Sequence, residues 1–282
     1  MPSRLHSNQN RMVRFFQGQE KKLRSLGKNI ELTSKVSEIV MQPEGGIFKF
    51  TDIPIVSGPT AISDDVDYIH MYDNGLKLFV NNIGVKGSGS QALLGTSDGI
   101  DYSHNPTDDE GIQWALADPN AIGYTRGTEC QKYTVGNFPF YARLKFSIAD
   151  VSDTDTCMFG FRKVEDFQAD PNDYDELFAF NSNAGDIECK SILNNASTSS
   201  TSNMDSGDNW SDGETRSFTV FVAKSGNCVG AYDDKQKDMI ALSAGFSFDK
   251  GEVVTPFFYF IHSAASSAGV VLQELEHGRG LE

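Results

Sequence analysis

One nine-residue segment constrains the fold of this chain more than any other. In residues 140–148, FYARLKFSI, apolar side chains alternate with tyrosine, arginine, lysine and serine. Alternation with a period of two places the apolar side chains on one face of a β-strand and the polar ones on the other. The segment therefore predicts an antiparallel sheet with one buried face and one face toward water.

Shorter segments of the same kind recur along the chain. Two of them flank Asp73–Asn74–Gly75, a sequence typical of a hairpin turn. The Ser-, Asn- and Asp-rich residues 194–213 predict a long exposed loop. Short strands separated by turns favour an all-β fold made of two antiparallel sheets. The predicted strands span residues 47–50, 68–72, 76–80, 113–116, 122–124, 140–148, 157–162, 176–181, 218–223, 253–262 and 270–275.

The first 44 residues differ from the rest in charge and pattern. Residues 1–35 carry eight basic and two acidic side chains, a net charge of +6. The whole chain carries −15, so residues 36–282 carry −21. We therefore predict an extended basic N-terminal arm, residues 1–44, and a β-sandwich, residues 45–282. An acidic protein groove is the preferred partner of the arm, and nucleic acid is the alternative. The predicted contact residues are Arg4, Arg11, Arg14, Phe15, Phe16, Lys21, Lys22 and Arg24.

The cysteines and the apolar segments indicate where the chain is made. None of the four cysteines, Cys130, Cys157, Cys189 and Cys228, is paired at C-x-x-C spacing, so we expect thiols buried in the core rather than a zinc site. No segment has the roughly 20 apolar residues of a membrane span, and the polar, basic start does not resemble a signal peptide. Synthesis in a reducing cytoplasm, without a membrane partner, is predicted.

Three groups of segments resemble a known family. They are residues 138–146 with 150–155 and 159–161, residues 218–222 with Gly226, and residues 254–260 with 269–276. Together they are similar to the concanavalin-A-like jelly rolls of structural proteins in tailed bacteriophages. The resemblance covers about residues 110–278, and residues 45–110 are expected to supply the opening strands.

The resemblance implies a virion structural protein. A capsid decoration or cement protein would be anchored to neighbouring subunits by the N-terminal arm, with the major capsid protein or other virion subunits as partners. Self-association, for instance as a trimer, is compatible with this role. The protein would be made in the host cytoplasm and would end on the capsid surface. A carbohydrate-binding, lectin-like head-fibre or tail module for host attachment is the alternative.

Catalytic patterns are weak in this sequence. A retaining glycosidase holds two carboxyl groups roughly 5 Å apart. Glu165–Asp166 and Asp175–Glu176 are adjacent pairs, and adjacent residues of a strand point to opposite faces. The sequence also lacks a Gly-x-Ser-x-Gly elbow and a phosphate-binding loop. We predict that the protein is not an enzyme and has no cofactor.

Two acidic loops are candidate binding sites. Asp170, Asp173 and Asp175 could bind calcium, and a solvated turn is the favoured interpretation of the same residues. Trp210, flanked by Asp208 and Asp212, is the one tryptophan predicted to be exposed, so it could stack on a sugar ring. Trp114 lies among apolar residues and is assigned to the core.

Overall fold

The computed structural model describes residues 47–50, 68–71, 77–83, 92–96, 99–103, 111–117, 132–195, 200–203, 209–233, 240–241, 246–262 and 269–280. The predicted basic arm lies outside these residues. Within them, the only helical element is a 3-10 helix at Pro171–Asp173. No helix in this part of the chain is long and apolar enough to cross a membrane.

Seventeen strands make up the remaining regular structure of the described residues. In chain order they are β1 Ile47–Phe50, β2 Tyr68–Met71, β3 Lys77–Ile83, β4 Ala92–Thr96, β5 Gly99–Ser103, β6 Gly111–Ala115, β7 Tyr133–Thr134, β8 Phe140–Ile148, β9 Thr154–Lys163, β10 Leu177–Asn183, β11 Asp186–Ile192, β12 Ser200–Asn203, β13 Thr215–Val222, β14 Cys228–Tyr232, β15 Ile240–Ala241, β16 Val253–His262 and β17 Val270–Arg279.

The strands form two sheets in which every described pairing is antiparallel. Sheet A has the order β15-β14-β13-β8-β17-β5-β4, and β1 also pairs with β17. Sheet B has the order β12-β11-β10-β9-β16-β6-β3-β2, and β7 also pairs with β16. The predicted all-β, two-sheet jelly-roll sandwich is confirmed. The predicted pairing of residues 68–72 with 76–80 is confirmed by β2 and β3.

The inner faces of the two sheets enclose a core rich in phenylalanine. Phe140 and Phe146 of sheet A and Phe159, Phe178 and Phe258 of sheet B are all buried. Phe146 and Phe258 meet edge to face across the sandwich, with ring centroids 5.4 Å apart. Large aromatic side chains supply most of the apolar area that stabilises such a layer, which is why the chain carries 20 phenylalanines. The core also contains three buried thiols that form no disulfide, Cys157, Cys189 and Cys228.

The predicted alternation of residues 140–148 is observed in β8, where buried and half-buried residues alternate along the whole strand. Its polar side chains lie on the outer face of sheet A. Arg143 and Lys145 both donate to the Glu274 carboxylate, at 3.5 and 3.3 Å. The Tyr141 hydroxyl donates to Glu276 at 2.5 Å. This outer face is therefore a half-exposed surface of paired charges.

The predicted loop 194–213 was wrong in part. β12 lies inside it and pairs with β11, and Trp210 is buried. An edge strand needs only backbone hydrogen bonds to its neighbour, so its serines and threonines gave no apolar alternation to detect.

Pro256 lies inside β16, a central strand, although proline cannot donate a backbone hydrogen bond. On one edge of β16, β6 pairs with residues 257–261 and β7 pairs with residues 253 and 254. Pro256 falls in the gap between these two partners. The strand therefore continues through the proline because the ladder changes partner there.

β17 also shares one of its edges between two strands. β5 pairs with residues 270–272 and β1 pairs with residues 275–278. The irregularity between Leu272 and Glu274 separates the two halves. The first described residue of β1, Ile47, lies opposite Gly278. The segment that precedes β1 therefore joins the sandwich beside the end of β17.

Candidate functional site

The outer face of sheet B carries a row of mostly polar side chains, one from each of six neighbouring strands. The strand register places them side by side, in the order Asn81, Gln113, Tyr259, Met158, Asn181 and Glu188. We call these six residues the polar row. Because side chains alternate along a strand, the residues next to them, such as Trp114 and Phe258, point into the core instead.

An apolar row lies beside the polar row on the same face. Its buried members include Ala115, Phe257 and Ala179. Gly160 lies between Phe257 and Ala179 in the cross-strand order. A Cβ atom at Gly160 would lie 2.1 Å from the Phe178 carbonyl oxygen, so β9 and β10 can approach this closely only with glycine at that position. The face thus combines hydrogen-bonding groups with an adjoining apolar surface.

Residues 164–176, which we call the strap, connect β9 to β10 and cross over this face. Two hydrogen bonds tie the strap to the polar row, and a third links two residues of the strap. The Tyr174 hydroxyl donates to Gln113 Oε1 at 2.8 Å, and it accepts from the Gln168 backbone N–H at 3.0 Å. The Tyr259 hydroxyl donates to the Ala169 carbonyl at 2.8 Å. The strap therefore covers the part of the row around Gln113 and Tyr259.

Arg162 stabilises the start of the strap from below. Its side chain is buried, and its guanidinium lies 4.6 Å from the centre of the Tyr174 ring, a cation–π contact. Its Nη1 donates to the carbonyls of Lys163 and Glu165, at 3.0 and 3.2 Å. The Glu165 carboxylate in turn accepts from the Asp175 N–H at 3.0 Å, and burial raises the pKa of Glu165.

Two members of the polar row have buried atoms without a hydrogen-bond partner. Gln113 Nε2, a donor, and Asn181 Oδ1, an acceptor, are both unpartnered. The other amide atom is bonded in each case, Gln113 Oε1 to Tyr174 and Asn181 Nδ2 to Glu188 Oε2 at 3.3 Å. A buried polar atom left without a partner costs about 1–3 kcal/mol. The row is therefore equipped to bind a ligand that both donates and accepts.

A carboxyl pair lies at the other end of the strap. Glu176 is buried, within hydrogen-bonding reach of Glu252, and each carboxyl has an oxygen without a partner. Burial raises the pKa of Glu176 to about 7, reinforced by the charges of Glu252 and Asp249 and opposed by Lys163. The Lys163 ammonium forms ion pairs with Asp175 and, at 3.1 Å, with Glu252.

The prediction that Trp210 is an exposed stacking platform was wrong. Its side chain is 3% exposed, and its ring packs against Phe146 and Phe218 in the core. Its indole N–H donates to the Glu214 carbonyl at 2.8 Å. Asp212 accepts from the N–H groups of Val151 and Ser152 at 2.8 and 3.2 Å, so it fixes a turn. Asp208 lies outside the described residues. Trp114 is fully buried, as predicted.

The three carboxylates predicted as a calcium candidate do not converge. Asp170 caps the 3-10 helix by accepting from the Asn172 N–H at 2.8 Å. Asp175 pairs with Lys163, and Asp173 is exposed. Across the ranges that the structure describes, no group of three or more His, Cys, Asp or Glu residues is placed to bind a metal ion. The arm residues Arg4 to Arg24 lie outside those ranges.

The polar row was missed because its members come from six strands and have no common spacing in the sequence. One local pattern was available. Gln113 in GIQWA is an uncharged amide inside an apolar strand, and Asn181 in LFAFNSN directly follows four apolar residues. Such an amide indicates a polar position on a strand that is buried on both faces.

Comparison with known proteins places the chain by fold rather than by family. A scan against protein-family models found no match, and neither did a search of curated protein sequences. Among solved structures, the sialidase of Trypanosoma rangeli is similar with a TM-score of 0.50 and 12% identity, over 92% of this chain and 37% of the sialidase. This likeness is one of fold.

Two further solved structures resemble the chain more weakly. The carbohydrate recognition domain of Emp47p matches with a TM-score of 0.46 and 11% identity, over 83% of this chain and 95% of that domain. A protein of unknown function from Shewanella oneidensis MR-1 matches with a TM-score of 0.46 and 10% identity, over 87% of this chain and 92% of its own length.

Proposed function

We propose that this chain is a non-enzymatic, lectin-like binding module that recognises a glycan at the polar row of sheet B. The observation that carries the proposal is the pair of buried, unpartnered amide atoms, Gln113 Nε2 and Asn181 Oδ1, on one face of one sheet. Sugar hydroxyls donate and accept at the same time, so they match a surface that offers both kinds of group. The adjoining apolar row suits the C–H face of a sugar ring.

The charge of the chain narrows the class of glycan. The residues after the arm carry a net charge of −19, and Glu188 closes one end of the polar row. Anionic sugars would be repelled by this surface, and their carboxylates would find no free cation in the row. Neutral glycans are therefore the proposed ligands, held by hydrogen bonds rather than by ion pairs.

Binding of the full chain to a broad array of neutral and anionic glycans tests this proposal. Gln113→Leu keeps the size of the side chain and removes its hydrogen-bonding groups, and we expect it to weaken binding at least about tenfold, the effect of losing one hydrogen bond of about 1.4 kcal/mol. Gln273→Leu, on the outer face of sheet A, is the matched control. Binding that survives Gln113→Leu unchanged, or no binding to any glycan, would overturn the proposal.

A second candidate function is that of a virion structural protein, a decoration or cement protein on the capsid surface. The observation that favours it is the position of β1, which follows directly after the basic arm and pairs with β17 of sheet A. An arm that starts from a fixed strand can reach a neighbouring subunit while the sandwich stays folded. The two functions are compatible in one protein.

Removal of residues 1–40 separates the two functions. An anchoring arm predicts that the truncated protein folds but no longer joins the particle or binds the major capsid protein. Glycan binding at the polar row predicts that array binding is unchanged by the same truncation. Truncated protein that still joins the particle would refute the role of the arm.

A further inference from the structure

The second unpartnered atom of the polar row, Asn181 Oδ1, lies three strands along the row from Gln113. Asn181 is 6% exposed, and its Nδ2 donates to Glu188 Oε2 at 3.3 Å. No described residue donates to its Oδ1. A carbonyl oxygen can only accept a hydrogen bond, so this buried atom requires a ligand that supplies a donor.

Lys190 lies on the same face, diagonally across the strand pair from Asn181. β10 and β11 pair so that Glu188 lies opposite Asn181, and Lys190 is the next outward-facing residue of β11. Glu188 and Lys190 are half-buried, whereas Cys189 between them lies in the core. Diagonal neighbours on one face of an antiparallel pair are about 7–8 Å apart, which is within reach of a long side chain. A ligand that contacts Asn181 can therefore contact Lys190 as well.

The ammonium of Lys190 forms no hydrogen bond or ion pair with any residue that the structure describes. Burial lowers the pKa of Lys190, and the charges of Asp170, Glu188 and Asp155 oppose this shift. An ammonium has three N–H donors, and a half-buried one has given up part of its hydration. Lys190 therefore offers a donor beside the acceptor of Asn181.

The charges around Lys190 favour a neutral acceptor. Three carboxylates act on a single ammonium, so negative charge prevails at this position. An anionic ligand would be attracted by the ammonium but repelled by the carboxylates. A carbonyl oxygen accepts a hydrogen bond from an ammonium without bringing a charge of its own.

We infer that Asn181 and Lys190 bind the acetamido group of an N-acetylated amino sugar. The acetamido N–H donates to Asn181 Oδ1, and its carbonyl oxygen accepts from Lys190 Nζ. This inference deepens the proposed glycan binding and rests on it. A trans amide directs its donor and its acceptor to opposite sides, which suits two residues placed diagonally. A single sugar hydroxyl, with a hydrogen bond of about 2.8 Å on each side, spans a shorter distance.

The test uses the full chain and pairs of neutral glycans that differ only in carrying an acetamido or a hydroxyl group on the same carbon. Chitin and cellulose oligosaccharides of equal length are such a pair. We expect the wild type to bind the acetamido member at least about tenfold more tightly, the effect of one hydrogen bond to a charged group.

Lys190→Met keeps the length of the side chain and removes its donors. It should weaken binding of the acetamido member by about tenfold and leave binding of the hydroxyl member unchanged. Lys250→Met removes the same charge at an exposed position in the turn before β16 and is the matched control. Asn181→Leu provides the same test as Lys190→Met if the latter does not fold.

Equal affinity of the wild type for both members of every pair would overturn the inference. A preference for the acetamido member that Lys190→Met leaves unchanged would do the same. Glycan binding that is lost in Gln113→Leu but shows no preference for acetamido groups refutes only the acetamido site. No binding to any glycan refutes the proposed function, and the acetamido site with it.

Discussion

The two sheets pack similar inner faces against each other but present different outer faces. The outer face of sheet A is half-exposed and carries complementary charges, such as Arg143 and Lys145 beside Glu274. The outer face of sheet B is mostly buried and carries amides, tyrosines and apolar residues beside a few charged groups such as Arg162 and Glu188, and the strap covers part of it. The outer face of sheet A can contact solvent directly, whereas the outer face of sheet B is covered in part by the strap.

The difference shows how the polar groups on one outer face of a β-sandwich can make that face suitable for binding a ligand. Charged pairs on a half-exposed surface contribute little free energy and need no further partner. Buried amides with unpartnered atoms cost free energy unless something bonds them. A face that keeps such unpartnered groups is suited to a ligand that would satisfy them.

The largest expected effect is the difference in stability lost when one phenylalanine on each outer face is replaced by alanine. Phe257→Ala, on the buried face of sheet B, should lower the free energy of unfolding by about 3–5 kcal/mol because it leaves a cavity. Phe221→Ala, at a half-buried position on sheet A, should cost about 1 kcal/mol. Denaturant unfolding of both variants measures the difference. Equal losses would mean that the two faces are alike.

The next effect concerns the inner face of sheet A, where a histidine is buried in the core. His277 of β17 is fully buried, and its Nδ1 is hydrogen-bonded to the Tyr133 hydroxyl at 2.6 Å. Burial lowers the pKa of His277 to about 3. Between pH 6.5 and 3 the unfolded chain therefore binds a proton that the folded chain does not. As the pH is lowered through this range, the free energy of unfolding should decrease by up to about 1.4 kcal/mol per pH unit.

His277→Gln isolates that contribution. The amide can still bond Tyr133 but does not titrate, so stability measured between pH 6 and pH 4 should decline less steeply than in the wild type. If the pH dependence of the unfolding free energy were the same in both proteins, His277 would take up its proton without unfolding, and water would reach this part of the inner face.

A smaller effect separates binding from stability on the outer face of sheet B. Gln113→Leu removes one hydrogen bond and one unpartnered donor together, so the free energy of unfolding should change by no more than about 1 kcal/mol. Gln273→Leu on sheet A should be similarly neutral. A loss of several kcal/mol for Gln113→Leu alone would make that amide a structural group rather than a ligand contact.

The smallest effect concerns the charge pairs of sheet A. Glu274→Gln removes the acceptor shared by Arg143 and Lys145, whose side chains are 20% and 37% exposed. We expect a loss of about 0.5 kcal/mol or less, shrinking further in high salt. A larger loss that persists in salt would show that sheet A, like sheet B, depends on its outer face.

The strands with alternating or continuous apolar patterns were predictable from the sequence. β8 and β16 were located because each has an apolar face large enough to dominate its segment. β11 and β12 were not, because the first has few apolar residues and the second is an edge strand held by backbone bonds. Backbone pairing leaves little trace in side-chain composition.

The candidate site was far less predictable than the fold. Trp210 was assigned to the surface because its neighbours in sequence are polar, yet the chain turns there so that the ring enters the core beside Phe146. The Glu176–Glu252 pair joins residues distant in the sequence, and only the packing of the strap against the following turn brings them together. Contacts of this kind follow from register and loop geometry, which periodicity does not encode.

The shared edge of β17 has a mechanical consequence. Ile47 and Gly278 lie side by side at one end of the β1–β17 ladder, and Phe50 and Leu275 close its other end. A load applied between the segment before β1 and the segment after β17 would separate the two strands one residue pair at a time. A load applied along the strand direction, against the rest of sheet A, would have to break the four pairs together. Any anchoring through the N-terminal segment would therefore withstand force in the second direction far better than in the first.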